Sequence, residues 1–128
     1  MRTEVTQAVE ELKRQFPDGP VTALEDGQGG AYVIVEAVAL GSRFRPEKTW
    51  MGAQITAQYP YADIYPVFVG ADVVRADGVP FVAPIAPNAN FQGRPALQIS
   101  RKNNAIGSGP QTAVAKFLKI LDFLERLP

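Results

Sequence analysis

Apolar residues recur at spacings of three and four at the start of the chain. Val5, Ala8, Val9, Leu12 and Phe16 make one stripe, and Glu10, Glu11, Lys13 and Arg14 cover the opposite side. That period predicts an amphipathic helix. Thr3 is its expected cap, and Glu4 suits the positive end of the helix dipole. Phe16-Pro17-Asp18-Gly19-Pro20 stops it. The pattern then shortens. Residues 21–24 and 31–40 are rich in β-branched and aromatic side chains, separated by the turn sequence Asp26-Gly27-Gln28-Gly29-Gly30. Over 50–59 the alternation is of period two. Met51, Ala53, Ile55 and Ala57 point one way, and Gly52, Gln54, Thr56 and Gln58 the other. This predicts a strand with one covered face. Pro66-Val67-Phe68-Val69 opens another. Residues 70–93 are rich in Pro, Gly and Ala and predict a long loop, a length that a compact domain tolerates when the loop is functional. A last helix follows, with Val114, Phe117, Leu118, Leu121 and Leu124 as its expected core stripe, flanked by Ile120 and Leu127. Ser108-Gly109-Pro110-Gln111 reads as its capping box. The sum is an α+β layout in one domain, residues 1–128.

Composition narrows the chemistry more than the fold. Thirteen basic residues balance thirteen acidic ones, which removes the electrostatic argument for nucleic acid or an anionic membrane surface. Histidine and cysteine are both absent. A Ser-His-Asp triad, a Cys-His pair and a His/Cys zinc site are therefore excluded. No Asp-x-Asp or Glu-x-x-Glu cluster suggests a carboxylate metal site, and no cofactor is expected. The N-terminal residues lack an apolar signal core, and no apolar run approaches the ~20 residues of a membrane helix. A cytoplasmic location is the expectation.

One window carries more. Residues 86–99 read Ala-Pro-Asn-Ala-Asn-Phe-Gln-Gly-Arg-Pro-Ala-Leu-Gln-Ile. The segment resembles the active-site segment of the ubiquitin-conjugating enzymes, in which His-Pro-Asn runs through a turn glycine to a catalytic cysteine followed by leucine. Pro87-Asn88, Gly93, Leu97 and Ile99 match in order, and Ala96 occupies the cysteine position. Upstream, Tyr59-Pro60 and Pro66-Val67-Phe68 resemble the family's Tyr-Pro pair and strand entry. The likeness extends over roughly residues 4–127 and is most specific in 87–99. Ala86 stands where the family has histidine. Residues 61–65 lengthen the spacing between Tyr-Pro and the later proline, no tryptophan follows the site, and one helix stands where eukaryotic members have several. These departures resemble short prokaryotic members.

The resemblance implies a helix, a four-stranded antiparallel meander, a long active-site loop and a C-terminal helix packed on the sheet. It implies a carrier that takes the C-terminus of a ubiquitin-like protein from an activating enzyme as a thioester and passes it to a target amine, in a bacterial setting of which some instances are linked to antiphage defence. It assigns Asn88 to the oxyanion, a role that an amide N–H donor can fill. An asparagine that ties a turn to backbone is the equal alternative. Gly93 would let the chain turn beside position 96, Leu97 would pack inward, and Pro87 and Arg94 would belong to the active-site loop. Lys13 and Arg14, on the helix where family members meet the activating enzyme, and Arg101 are candidate partner contacts. Solvated charge is their ordinary reading.

Thioester transfer needs a thiolate that is both nucleophile and leaving group. A methyl group is neither, so the chain as written is expected to be inactive. A substituted Cys→Ala nucleophile is the preferred explanation, because Asn88 is retained. A natural inactive variant that binds a ubiquitin-like partner is the alternative, favoured by Ala86 and the missing tryptophan. A third reading, without the resemblance, is a small α+β interaction module or a chaperone for secreted effectors.

Overall fold

A computed structural model of the chain describes residues 1–102 and 112–128. Helix α1 spans Thr3–Gln15 and buries Val5, Ala8, Val9 and Leu12. Its stripe lies where the period of the sequence puts it. Thr3 is the first helical residue rather than the cap. Arg2 holds the cap position, and its side chain makes no capping hydrogen bond.

Among the described residues eight strands follow: β1 Val21–Glu25, β2 Ala31–Ala39, β3 Phe44–Arg45, β4 Lys48–Ile55, β5 Val67–Gly70, β6 Val74–Arg75, β7 Ile85–Phe91 and β8 Arg94–Ile99. Six of them form one antiparallel sheet in the order β1-β2-β4-β5-β8-β7, and β3 pairs with β6 in a second, two-stranded sheet. Four sheet neighbours, β1-β2-β4-β5, run as successive antiparallel partners. The β7–β8 hairpin then extends the sheet beyond them.

That hairpin is the main difference from the sequence expectation. Residues 70–93 are not one long loop, because Val74–Arg75 form β6 and Ile85–Phe91 form β7. The alternation is hidden by Pro87 and by a bulge between Ala86 and Ala89 where the register shifts. A bulge adds an unpaired residue and breaks the period-two signature.

Helix α2 spans Ala113–Glu125 and packs on the same face of the sheet as α1. Thr112 caps it, its hydroxyl accepting from the Ala115 amide at 3.1 Å. The capping box expected at 108–111 lies outside the described residues. The buried stripe is Ala113, Lys116, Phe117, Ile120 and Leu124, one residue out of phase with the expected one. Leu118 is 42 % exposed, and Ile120 takes its place in the core. Between helices and sheet lies the principal core, with Val33, Val35, Met51, Ala53, Ile55, Val67, Val69, Leu97 and Ile99 on the strand side. The opposite face of the sheet has no helix against it among the described residues. It carries a smaller cluster built on Ile34, Phe91 and Ala96.

Candidate functional site

Side chains alternate across β8. Leu97 and Ile99 enter the helix-side core, and Ala96 points to the open face. Ala96 pairs with Gly70 of β5 on one side and Ala89 of β7 on the other, and it is 0 % exposed. Its cover comes from its own hairpin. Gln92 and Gly93 form a two-residue turn with φ values of 51° and 81°, flanked by the Phe91–Arg94 pair. Two positive φ values in sequence suit the twist of a tight hairpin. The Asn90 carboxamide accepts from the Gly93 amide at 3.1 Å and fixes the tip.

The tip curls over the open face. Phe91 stacks on Phe68 with ring centroids 4.9 Å apart and reaches Trp50 and Tyr32 at 6.2 and 6.3 Å. Gly52 lies directly beneath it: a Cβ there would come within 2.6 Å of the Phe91 ring. Arg94 crosses to β2 and makes a fork-to-fork ion pair with Glu36, at 3.1 and 2.6 Å. Its guanidinium also lies 5.4 Å from the centre of the Trp50 ring. The Glu36 carboxylate raises the Arg94 pKa above its ordinary value. Arg94 is thus a clasp between hairpin and sheet rather than part of a solvated patch. Geometry of this bidentate kind is the stronger class of charge-assisted hydrogen bond.

Asn88 sits in the bulge, exposed, with φ 64°. Asparagine tolerates this left-handed conformation better than most residues. It neighbours Ala89, the strand partner of Ala96. Pro87 is exposed beside it on the edge of the sheet. Asn88, Pro87, Gly93, Arg94 and Ala96 therefore belong to one hairpin. Lys13 and Arg14 do not join them, because α1 covers the other face of the sheet. Lys13 pairs with Glu10 at 3.2 Å. Arg101 follows β8 and lies over the Phe123 ring of α2 at 4.6 Å.

Beside the tip is a cleft of about 270 Å³, lined by Tyr32, Gln54, Tyr65, Pro66, Phe68, Asn90, Phe91 and Gln92. Its polar groups are carboxamides and phenols, with no carboxylate or amine among them. Such a lining can stack on and hydrogen-bond a ligand, but it offers no carboxylate, amine or imidazole to act as acid or base. No group of acidic residues among the described residues could hold a metal ion.

Two features escaped the reading of the sequence. The aromatic cluster was one, although Tyr32, Ile34 and Trp50, Gly52 do fall on alternate positions of adjacent strands. Lys116 was the other. It is 3 % exposed, pairs with Asp63 at 3.1 and 3.2 Å, and donates to the Arg101 carbonyl at 2.8 Å. The apolar neighbours of Lys116 in sequence gave no sign of it. Nearby, the buried Tyr59 hydroxyl accepts from the Ala113 amide at 3.1 Å, which ties the Tyr-Pro segment to the start of α2. Burial raises its pKa.

No family model, curated protein or solved structure matches the chain. Among the described residues, no helix is long and apolar enough to cross a membrane.

Proposed function

We propose that this chain is a ubiquitin-conjugating-like domain that binds a ubiquitin-like partner without forming a thioester with it. The carrying observation is the enclosure of Ala96: it is 0 % exposed, held in the middle of a paired strand and in one buried cluster with Phe91. Transthiolation requires a sulfur that a second thioester can approach. Position 96 offers neither the sulfur nor the approach. The neutral aromatic and carboxamide cleft beside it suits recognition better than group transfer.

A second reading, a conjugating enzyme whose cysteine has been replaced, draws support from Asn88. Its carboxamide is exposed, and it stands one residue from the strand partner of Ala96.

Ala96→Cys separates the two. For the binding module, the introduced thiol reacts with a maleimide at least 100-fold faster in denaturant than in the native protein, as expected for a site that the native fold keeps covered. Incubation with an activating enzyme, a ubiquitin-like protein and ATP leaves no thiol-sensitive adduct. The unaltered chain still shows amide shifts with a ubiquitin-like protein. A native adduct at residue 96, formed but slow to discharge when Asn88→Ala is added, would overturn this reading in favour of the enzyme. Absence of both adduct and binding would leave the interaction module of another class.

A further inference from the structure

The six-stranded sheet has two edges, and they are built differently. The β7 edge is interrupted by Pro87, which has no N–H, and by the bulge at Asn88. Both devices block further strand pairing. The β1 edge has neither. Its register with β2 is continuous from Val21 to Glu25, it contains no proline or basic residue, and all but the first of its residues are exposed.

The ladder shows which backbone groups are unused. The Glu36 amide donates to the Pro20 carbonyl and the Asp26 amide to the Gly30 carbonyl, both at 3.1 Å. With the register Thr22 to Ile34 and Leu24 to Tyr32, the even-numbered residues of β1 bond inward to β2. The N–H and C=O groups of Val21, Ala23 and Glu25 therefore point away from the sheet.

We propose that β1 is a dimerisation edge, on which a second copy of this chain lays its own β1 antiparallel about a two-fold axis through Ala23. In that register Val21 faces Glu25 of the second copy and Ala23 faces its own counterpart. All three outward residues of each strand are then hydrogen-bonded. Leu24, 63 % exposed in the single chain, comes to lie across from Thr22 of the other copy. The Ala23 side chains at the axis are small enough to meet without clash. The pairing is self-complementary and so closes as a dimer. Continuation into a fibre would need the other edge, where Pro87 and the bulge prevent it. This inference is independent of the reading of Ala96.

Ala23→Pro tests it, because the lost N–H serves no bond among the described residues and proline is tolerated at an outward edge position. In sedimentation equilibrium the unaltered chain should rise with concentration from 13.9 kDa to twice that mass. The Val21, Ala23 and Glu25 amides should slow in hydrogen exchange over the same range. Ala23→Pro should stay monomeric, with the thermal midpoint that the unaltered chain has at concentrations where it too is a monomer. Leu24→Lys, which leaves the backbone intact, should weaken the dimer about tenfold, as a charge on an edge does. A chain that remains monomeric to millimolar concentration overturns the proposal and leaves β1 for a strand of another protein. A dimer that survives both substitutions, or one without protection at those three amides, overturns it as well.

Discussion

The two faces of the sheet are covered by different means. On one, α1 and α2 bring their own apolar stripes, and the core between them and the strands is mostly aliphatic. On the other, the sheet covers itself: the β7–β8 tip folds back, and Phe91 and Arg94 reach β4 and β2. The first arrangement buries large area through two independent elements. The second depends on one ring, one ion pair and a two-residue turn. The lesson concerns position 96. It is enclosed by a small local device rather than by the main core, so its access can be changed without unfolding the domain.

The comparison is broken most strongly by removing one ring from each face. Phe117→Ala should cost about 3–5 kcal/mol, since the side chain is fully buried among elements that cannot close the gap. Phe91→Ala should cost about 3 kcal/mol, at the lower end of the same range, because the hairpin tip can settle onto the sheet. Urea unfolding measures both. The second substitution should also speed maleimide reaction in an Ala96→Cys background, whereas the first should not do so under native conditions. Equal acceleration by both would mean that the two faces open together.

Gly52→Ala sharpens the picture of the tip. Its Cβ would stand 2.6 Å from the Phe91 ring and 3.1 Å from Trp50. Overpacking of this kind costs about 1–3 kcal/mol. The strain should show as faster amide exchange in residues 91–94, with α1 and α2 unaffected. A neutral Gly52→Ala would place Phe91 elsewhere.

The smallest effect is pH dependence, and it separates the rim of the sheet from the helix side. The Asp26 carboxylate accepts from the Gln28 and Gly30 amides and from Gln54, and these bonds lower its pKa below the ordinary value. A depressed folded pKa contributes stability above the unfolded value, which is lost as pH falls through the ordinary carboxylate range and below it. Tyr59 has the opposite sense: its pKa is raised by burial, so its contribution is complete below the ordinary tyrosine value and disappears as pH rises past it. Urea midpoints from pH 3 to 11 should therefore fall at both ends. Asp26→Asn should flatten the acid limb and Tyr59→Phe the alkaline one.

Much of the fold can be read from local pattern. The α1 stripe and the alternation over 50–55 each have one unambiguous period, and the structure follows them; β4 ends at Ile55, and residues 56–59, expected to continue it, leave the sheet in a turn. Helix α2 was legible as a helix but not in phase. Residues 113–127 are apolar on most sides, so two stripes fit, and contact with the sheet selects Phe117 and Ile120 over Leu118. Strand β7 was not legible, because Pro87 and the bulge erase its alternation. Lys116 was invisible for another reason: a lysine is buried only where partners await it, and Asp63 is 53 residues away in sequence.

The candidate site divides the same way. The sequence by itself determined that this chain has no thiol and no imidazole, and that Gly93 can turn the chain. These are properties of residue identity and short spacing, which no packing can alter. Only the tertiary structure decided that Ala96 lies beneath an aromatic cover, that Arg94 clasps Glu36, and that Lys13 and Arg14 stand behind the sheet. Each of these rests on which strands become neighbours. Pairing of that kind joins residues distant in sequence, and it is chosen by the total burial of the sheet rather than by any one segment of it.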